Sequence, residues 1–308
     1  MEYRKLIAFG KSSLIISLPK KWIDSHRLKS GDTVYLLPNQ DTITVALNEQ
    51  NPEKEIVNAV INCDDKNIKH IESEIVIAYL SGASNFEIRG NSVMRDGAQI
   101  KKILSDLSGI EIIEQESTKI IARDFLNTND LSCETLIRRI DLTIRSMFND
   151  SLACVHEDFY ESIFHRDLDV NRLVLLTKRV IKTALLDPRI ALKLKKNNAE
   201  LLRDWDVAGE LEAIADEIKR TSRYLKGLNT KNKTQYQTMQ RQLMAKYLEV
   251  MKAYHTNTPG PAFNAHVSHK EQMEEIDKLP NGADAQRLNY HTKGLASHIK
   301  DLARAVVN

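Results

Sequence analysis

The sequence predicts a multidomain α+β protein in three stretches. These are a small N-terminal β domain (residues 1–50), a central small α+β domain (51–127) and a C-terminal all-α domain of helical bundles (128–308). Three observations predict it. Apolar residues alternate with polar ones early in the chain, as at Leu14, Ile16 and Leu18, and recur at three- and four-residue steps after Asn127. Glycine and proline fall where the style changes and where helices must stop. Aromatic residues make up only 6% of the 308 residues, so the cores must rely on Leu, Ile, Val and Ala, as helical bundles do.

Taken in order, Leu6–Phe9, Leu14–Leu18, Val34–Leu37 and Ile43–Leu47 read as short strands between Gly, Ser, Pro and Asp turns. A helical piece runs from Lys20 to about His26, opened by Pro19. The middle stretch alternates types: strand Glu55–Ile61, helix Ile68–Ser81, strand Phe86–Arg89, helix Gly97–Leu107, then a closing pair Glu111–Glu116 and Lys119–Arg123. That order predicts a sheet with helices over one face. Helices are expected near 132–157, 161–186, 199–227, 234–255, 262–279 and 283–306, stopped by Pro188, Gly227, Pro259-Gly260-Pro261 and Pro280-Asn281-Gly282. Their core stripes are Leu136, Ile140, Ile144, Met147, Ser151 and Val155; Ile163, Val170, Val174, Thr177, Ile181 and Ala184; and Leu211, Ile214, Ile218 and Leu225.

Composition excludes several classes. Three widely spaced cysteines, Cys63, Cys133 and Cys154, form neither a disulfide framework nor a zinc motif and read as reduced thiols of a cytoplasmic protein. No apolar run approaches the ~18 residues that a membrane span needs. Net charge is only +2, so any polyanion-binding surface must be local. It is local: seven basic residues precede Gly31 against only Glu2 and Asp24, a net of +5. The chain has no G-x-S-x-G elbow, Walker A loop, H-E-x-x-H or G-x-G-x-x-G after a strand, and no enzymatic activity is expected. Arg89-Gly90-Asn91-Ser92 with Arg95 is an anion-binding candidate at a helix start, although loop positions like these are more often plain turns.

Two constellations carry chemistry. At the N-terminus, Gly10 and two serines turn the chain between strands, setting Lys5, Lys11, Lys20 and Lys21 near the ends of a compact β unit. Amides, hydroxyls and ammonium groups so placed are what phosphate oxygens require; a dimerising β unit with solvated edge lysines would look the same. So small a unit buries too little to stand alone and needs a second copy or a neighbour. In the bundle, Asp167 interrupts the stripe between Ile163 and Val170, Asn171 lies one turn on, and Glu212 and Asp216 stand four apart on the following helix. Oxygen ligands from facing helices suit a hard divalent ion, while neighbouring Arg172 and Arg220 would equally serve as salt-bridge partners.

The run from Arg4 to Val45 resembles the AbrB/SpoVT/MazE type of swapped-hairpin domain. The resemblance rests on G-K-S-S (Gly10–Ser13), I-S-L-P-K-K-W (Ile16–Trp22) and L-K-S-G-D-T-V (Leu28–Val34). It implies an interlaced homodimer that binds DNA through Arg4, Lys5, Lys11, Ser12, Ser13, Lys20, Lys21 and Arg27. In many relatives a glycine precedes the L-K-x-G-D run, where this chain has His26-Arg27. Residues 130–308 resemble PhoU, the phosphate-uptake regulator, through D-L-D-V-N-R-L (Asp167–Leu173) and V-A-G-E-L-E-A-I-A-D-E-I (Val207–Ile218). That likeness implies three-helix bundles and a divalent metal (iron, Mg, Mn, Ni or Zn) at Asp167, Asn171, Glu212 and Asp216. The second bundle departs from the pattern, with Lys293 and Ser297 where the acids should be; Glu271, Glu274, Glu275 and His298 remain there as ligand candidates. The three-part layout is similar to that of archaeal phosphate-regulator homologues. The expected protein is a DNA-binding transcriptional regulator of phosphate homeostasis. The competing expectation is an adaptor that regulates a phosphate transporter or signalling components by contact, without DNA.

Overall fold

A computed structural model describes residues 2–39, 42–47, 57–126, 131–154, 157–225, 228, 230–280 and 282–307. Of the expected features, Glu55, Asn127, Val155, Gly227 and Asn281 lie outside these residues. The chain divides into two compact units, 1–55 and 56–308.

In the first unit, a three-residue turn joins β1 (Ile7–Phe9) to antiparallel β2 (Ser13–Ile15), with Phe9 opposite Ser13 and Ile7 opposite Ile15. Gly10 takes φ +69° in that turn, a left-handed backbone that glycine adopts without cost. β2 is shorter than the expected Leu14–Leu18 strand, because its ladder with β1 ends at the Ile7–Ile15 pair. α1 (Lys20–Ser25) follows Pro19 and closes with Arg27 N–H on Asp24 O and Leu28 N–H on Ile23 O, both 3.1 Å. Arg27 at φ +54° occupies the left-handed position that such helix ends usually give to glycine. β3 (Tyr35–Asn39) and β4 (Thr42–Ala46) form a second antiparallel hairpin, and each hairpin is a separate two-stranded sheet. None of the unit's residues whose side chains are described is buried. Leu6, Ile7, Phe9, Leu14, Ile15, Ile16, Leu36 and Ile43 stand 46–67% exposed.

The second unit opens with β5 (Asn58–Asn62), α2 (Ile68–Leu80), β6 (Asn85–Arg89), α3 (Ser92–Ser105), β7 (Ile110–Gln115) and β8 (Lys119–Asp124). The sheet runs β5-β6-β8-β7, with β5 and β6 parallel and the other pairs antiparallel. Phe86, Ile88, Ile120 and Ala122 share a core with Ile71, Ile75 and Tyr79 of α2 and Ile100 and Leu104 of α3. On the polar side, Arg123 Nε donates to Asn85 Oδ1 (3.1 Å) and Asn85 Nδ2 to Asn58 Oδ1 (2.8 Å), a row across three strands. α3 starts five residues before the expected Gly97. Gly90, at φ +132°, turns the chain against Asp64, whose carboxylate accepts the Ser92 N–H at 3.1 Å and so starts the helix there.

The remaining helices are α4 (Cys133–Ala153), α5 (Tyr160–Leu186), α6 (Pro188–Lys193), α7 (Asn198–Leu225), α8 (Thr230–Thr256), α9 (Gly260–Val267), α10 (His269–Asp277) and α11 (Ala283–Val307). Local chemistry sets their starts. Ser132 caps α4, and Asn197 and Glu200 exchange side chain-to-backbone bonds of 2.9 and 2.8 Å at the head of α7. Pro188, expected as a stop, also opens α6 behind the Asp187 cap. The expected 262–279 helix is two helices, because Ser268 ends α9 with its hydroxyl on the Ala265 carbonyl (3.4 Å). α4, α5 and α7 pack together, α8, α9, α10 and α11 pack together, and α7 lies along α11. The described residues of all three expected stripes are buried, and one apolar core runs through both groups. Among the described residues, no helix is long and apolar enough to cross a membrane.

Candidate functional site

The basic residues of the first unit are distributed over its turns and helix ends. Lys5 precedes β1, Lys11 and Ser12 sit in the β1–β2 turn, and Ser13 begins β2. Lys20 and Lys21 open α1, and Arg27 closes it. Arg4 pairs with Glu2 at 2.8 Å. Lys5, Lys11, Lys20, Lys21 and Arg27 are exposed and make no ion pair among the described residues. A charge of this kind, unmatched by any carboxylate, is free to meet an external anion.

In the bundle, two of the four expected metal ligands, Asp167 and Asp216, meet an ammonium group. Lys219 Nζ lies 2.6 Å from Asp167 Oδ2 and 2.8 Å from Asp216 Oδ1. Arg220 pairs with Asp216 and stands 2.9 Å from Glu217 Oε1. Glu212 is exposed one turn earlier on α7. Of the two arginines named as alternative partners, Arg220 takes that role, while Arg172 donates to the Ser105 carbonyl at the end of α3 (3.3 Å). Lys219 is the residue that sequence reasoning misses, although its three-residue spacing from Asp216 is visible there. Burial pushes the Asp167 carboxyl above its ordinary pKa despite Lys219. Burial alone would lower Lys219, but its hydrogen bonds to Asp167 and Asp216 hold it above its ordinary value. Asp167 Oδ1 and Asn171 Oδ1, one turn apart on α5, are buried with no hydrogen-bond partner among the described residues. Those two acceptors fit a cation; the Lys219 ammonium competes with one for the same carboxylates. Among the described residues, no group of three or more His, Cys, Asp and Glu side chains is placed to hold a metal ion.

Other buried acids are matched across helices. Asp141 accepts from Arg145 (2.9 and 2.8 Å), from Tyr247 Oη (2.8 Å) and from His255 Nε2 at 3.1 Å. Burial alone would raise its pKa, but these donors hold it below the ordinary carboxylate value. Asp204 is held by Lys196 (2.5 Å) and Tyr254 Oη (2.7 Å). His291 Nδ1 meets Glu217 Oε2 and His298 Nδ1 meets Glu210 Oε2, each at 2.9 Å, so the second-bundle candidate His298 is engaged by α7. Lys293 pairs with Asp277 at 2.5 Å. The Arg89–Ser92 anion candidate is met by the chain itself: Asp64 takes the helix-start amide, and Arg95 pairs with Asp96 at 2.7 Å.

The chain matches no protein-family model, no curated protein and no solved structure.

Proposed function

We propose that this chain is a DNA-binding regulator whose first unit pairs with a second copy and presents its lysines to DNA phosphates. One observation carries the reading: among the described residues, six exposed basic side chains without carboxylate partners, Lys29 with the five above, share a unit of fewer than 60 residues with eight exposed Leu, Ile and Phe side chains. Unburied Leu, Ile and Phe on two separate hairpins leave the described side chains of the unit without a core, and a second copy laid against them would supply one. Support for the link to phosphate comes from the likeness of Asp167–Leu173 and Val207–Ile218 to PhoU, which makes the helical region the sensor or relay. The proposed role is regulatory, not catalytic.

The test replaces Lys5, Lys11 and Lys20 together by Ala. Removing one lysine–phosphate interaction lowers the slope of log affinity against log salt by about 0.9, so the variant's slope should fall by nearly three, with binding weaker by orders of magnitude. Light scattering should show the same dimer for variant and parent. Unchanged gel-shift affinity at moderate salt would leave the adaptor reading, contact with a transporter or signalling protein without DNA, as the better one. Genomic fragments recovered with the protein should cluster upstream of phosphate-transport genes.

A further inference from the structure

A cavity of about 300 Å³ opens among α5, α7 and α11, at the lower end of the range typical of small-molecule sites. α5 contributes Lys178, α7 contributes Trp205, Asp206, Gly209 and Glu210, and α11 contributes Asp301 and Arg304. The α7 residues fall into two i, i+4 pairs, Trp205–Gly209 and Asp206–Glu210, which put them on one face of the helix.

The partners of the five ionic groups differ. Glu210 is held by His298 at 2.9 Å. Asp301 lies 3.2 Å from Lys300 and 3.4 Å from Arg304. Lys178 and Asp206, in contrast, make no hydrogen bond or ion pair among the described residues; the Lys178 ammonium lies over the Trp205 ring, 5.6 Å from its centre. The cavity therefore holds one uncommitted charge of each sign beside an indole face. Gly209 presents no side chain to the cavity; a Cβ there would take up part of its space, at an ordinary contact distance of 3.7 Å from Lys178 Nζ. Glycine inside a long helix costs roughly 1 kcal/mol relative to alanine, a cost that helix packing does not require here.

Inorganic phosphate suits this lining poorly, because three carboxylates face two cations. An amine alone leaves Lys178 unmatched, and a carboxylate alone leaves Asp206 unmatched. We propose that the cavity binds a small zwitterion of the α-amino-acid class, its ammonium on Asp206, its carboxylate on Lys178 and its side chain toward Trp205. This inference does not rest on the DNA-binding reading.

The chain has two tryptophans, so a Trp22→Phe variant of the full chain leaves Trp205 as the lone fluorescent reporter. Titration uses the twenty common amino acids, each beside its decarboxylated amine and its deaminated acid, with inorganic phosphate as a further probe. At least one amino acid should change Trp205 emission saturably, with both of its analogues about tenfold or more weaker. Asp206→Asn and Lys178→Met should each weaken that response by a similar factor. Gly209→Ala should weaken it while raising thermal stability, which separates loss of the site from loss of the fold. Absence of a saturable change with any amino acid at about 10 mM, well above the weak end of ordinary small-ligand affinities, would overturn the proposal. So would an equal response to the amine or to phosphate, or a response undiminished in both charge variants.

Discussion

Lys219 decides what the carboxylates around it can do. Two acids brought together on facing helices repel one another unless a positive charge stands between them, and the ammonium supplies that charge from within the chain. A divalent ion at Asp167, Asn171 and Asp216 has to displace it. We therefore expect Lys219→Met to melt lower than the parent in chelator. Adding iron, Mg, Mn, Ni or Zn should then raise its melting temperature by several degrees, through linkage of binding to folding, and move the parent less. A Lys219→Met transition indifferent to every ion would show that the cluster is held by ion pairs alone. The acids themselves were legible, because a carboxylate inside an apolar stripe breaks a three-and-four-residue rhythm. Their partner was not: Arg172, Lys219 and Arg220 all lie within a side chain's reach in sequence terms, and only the relative rotation of α5 and α7 selects among them. Arg27 shows the same limit. The missing glycine was visible in the sequence, whereas the arginine's adoption of the left-handed backbone was not.

Among the elements, α7 and α11 are joined by two histidine–carboxylate pairs one heptad apart, Glu210–His298 and Glu217–His291. The antiparallel register is tight between them. A Cβ on Gly294 would stand 3.0 Å from the Glu217 carboxyl carbon, so glycine lets the carboxylate approach α11. The His298 pKa is raised above 6.5, first by its hydrogen bond to Glu210 and further by the charges of Glu210 and Glu217 from α7 and of Asp301 on its own helix. A histidine raised in the folded state stabilises it fully below the unfolded pKa, and that contribution disappears as pH climbs through the folded value. The stability difference between the parent and His298→Gln, read from urea midpoints, should therefore be largest below about pH 6.5 and shrink above it. A difference that stays constant across this window would remove the electrostatic account. Stripes and most helix spans could be read in the sequence because they depend on neighbours three or four residues away. The division at Ser268 and the helix after Pro188 could not, since a single hydroxyl or proline continues, splits or opens a helix according to what packs beside it.

At the scale of the molecule, the ties between the sheet and the helices of residues 56–308 include a buried arginine. Arg179 of α5, with only 1% of its side chain exposed, donates to Asp124 Oδ2 (2.7 Å) and the Ala83 carbonyl (3.0 Å) and lies over the Tyr79 ring, 4.4 Å from its centre. Removing the guanidinium leaves its carboxylate buried without that charge, which typically costs about 3–5 kcal/mol. Arg179→Met should lower stability by that order in urea unfolding. Sheet and helix signals should still disappear together in the parent, while separate transitions in the parent would show that the contact does not couple them. The α+β character and the long helical region were legible from periodicity. The union of sheet and bundle through Arg179 was not, because its contacts reach 55 and 96 residues back along the chain.

That union bears on how such a chain can be rearranged in evolution. A recombination event that replaced residues 57–126 with another small sheet would strand Arg179 inside apolar surroundings unless the incoming piece happened to carry an acid at the same spot. The sheet and the helices should therefore travel through such rearrangements as one inherited block.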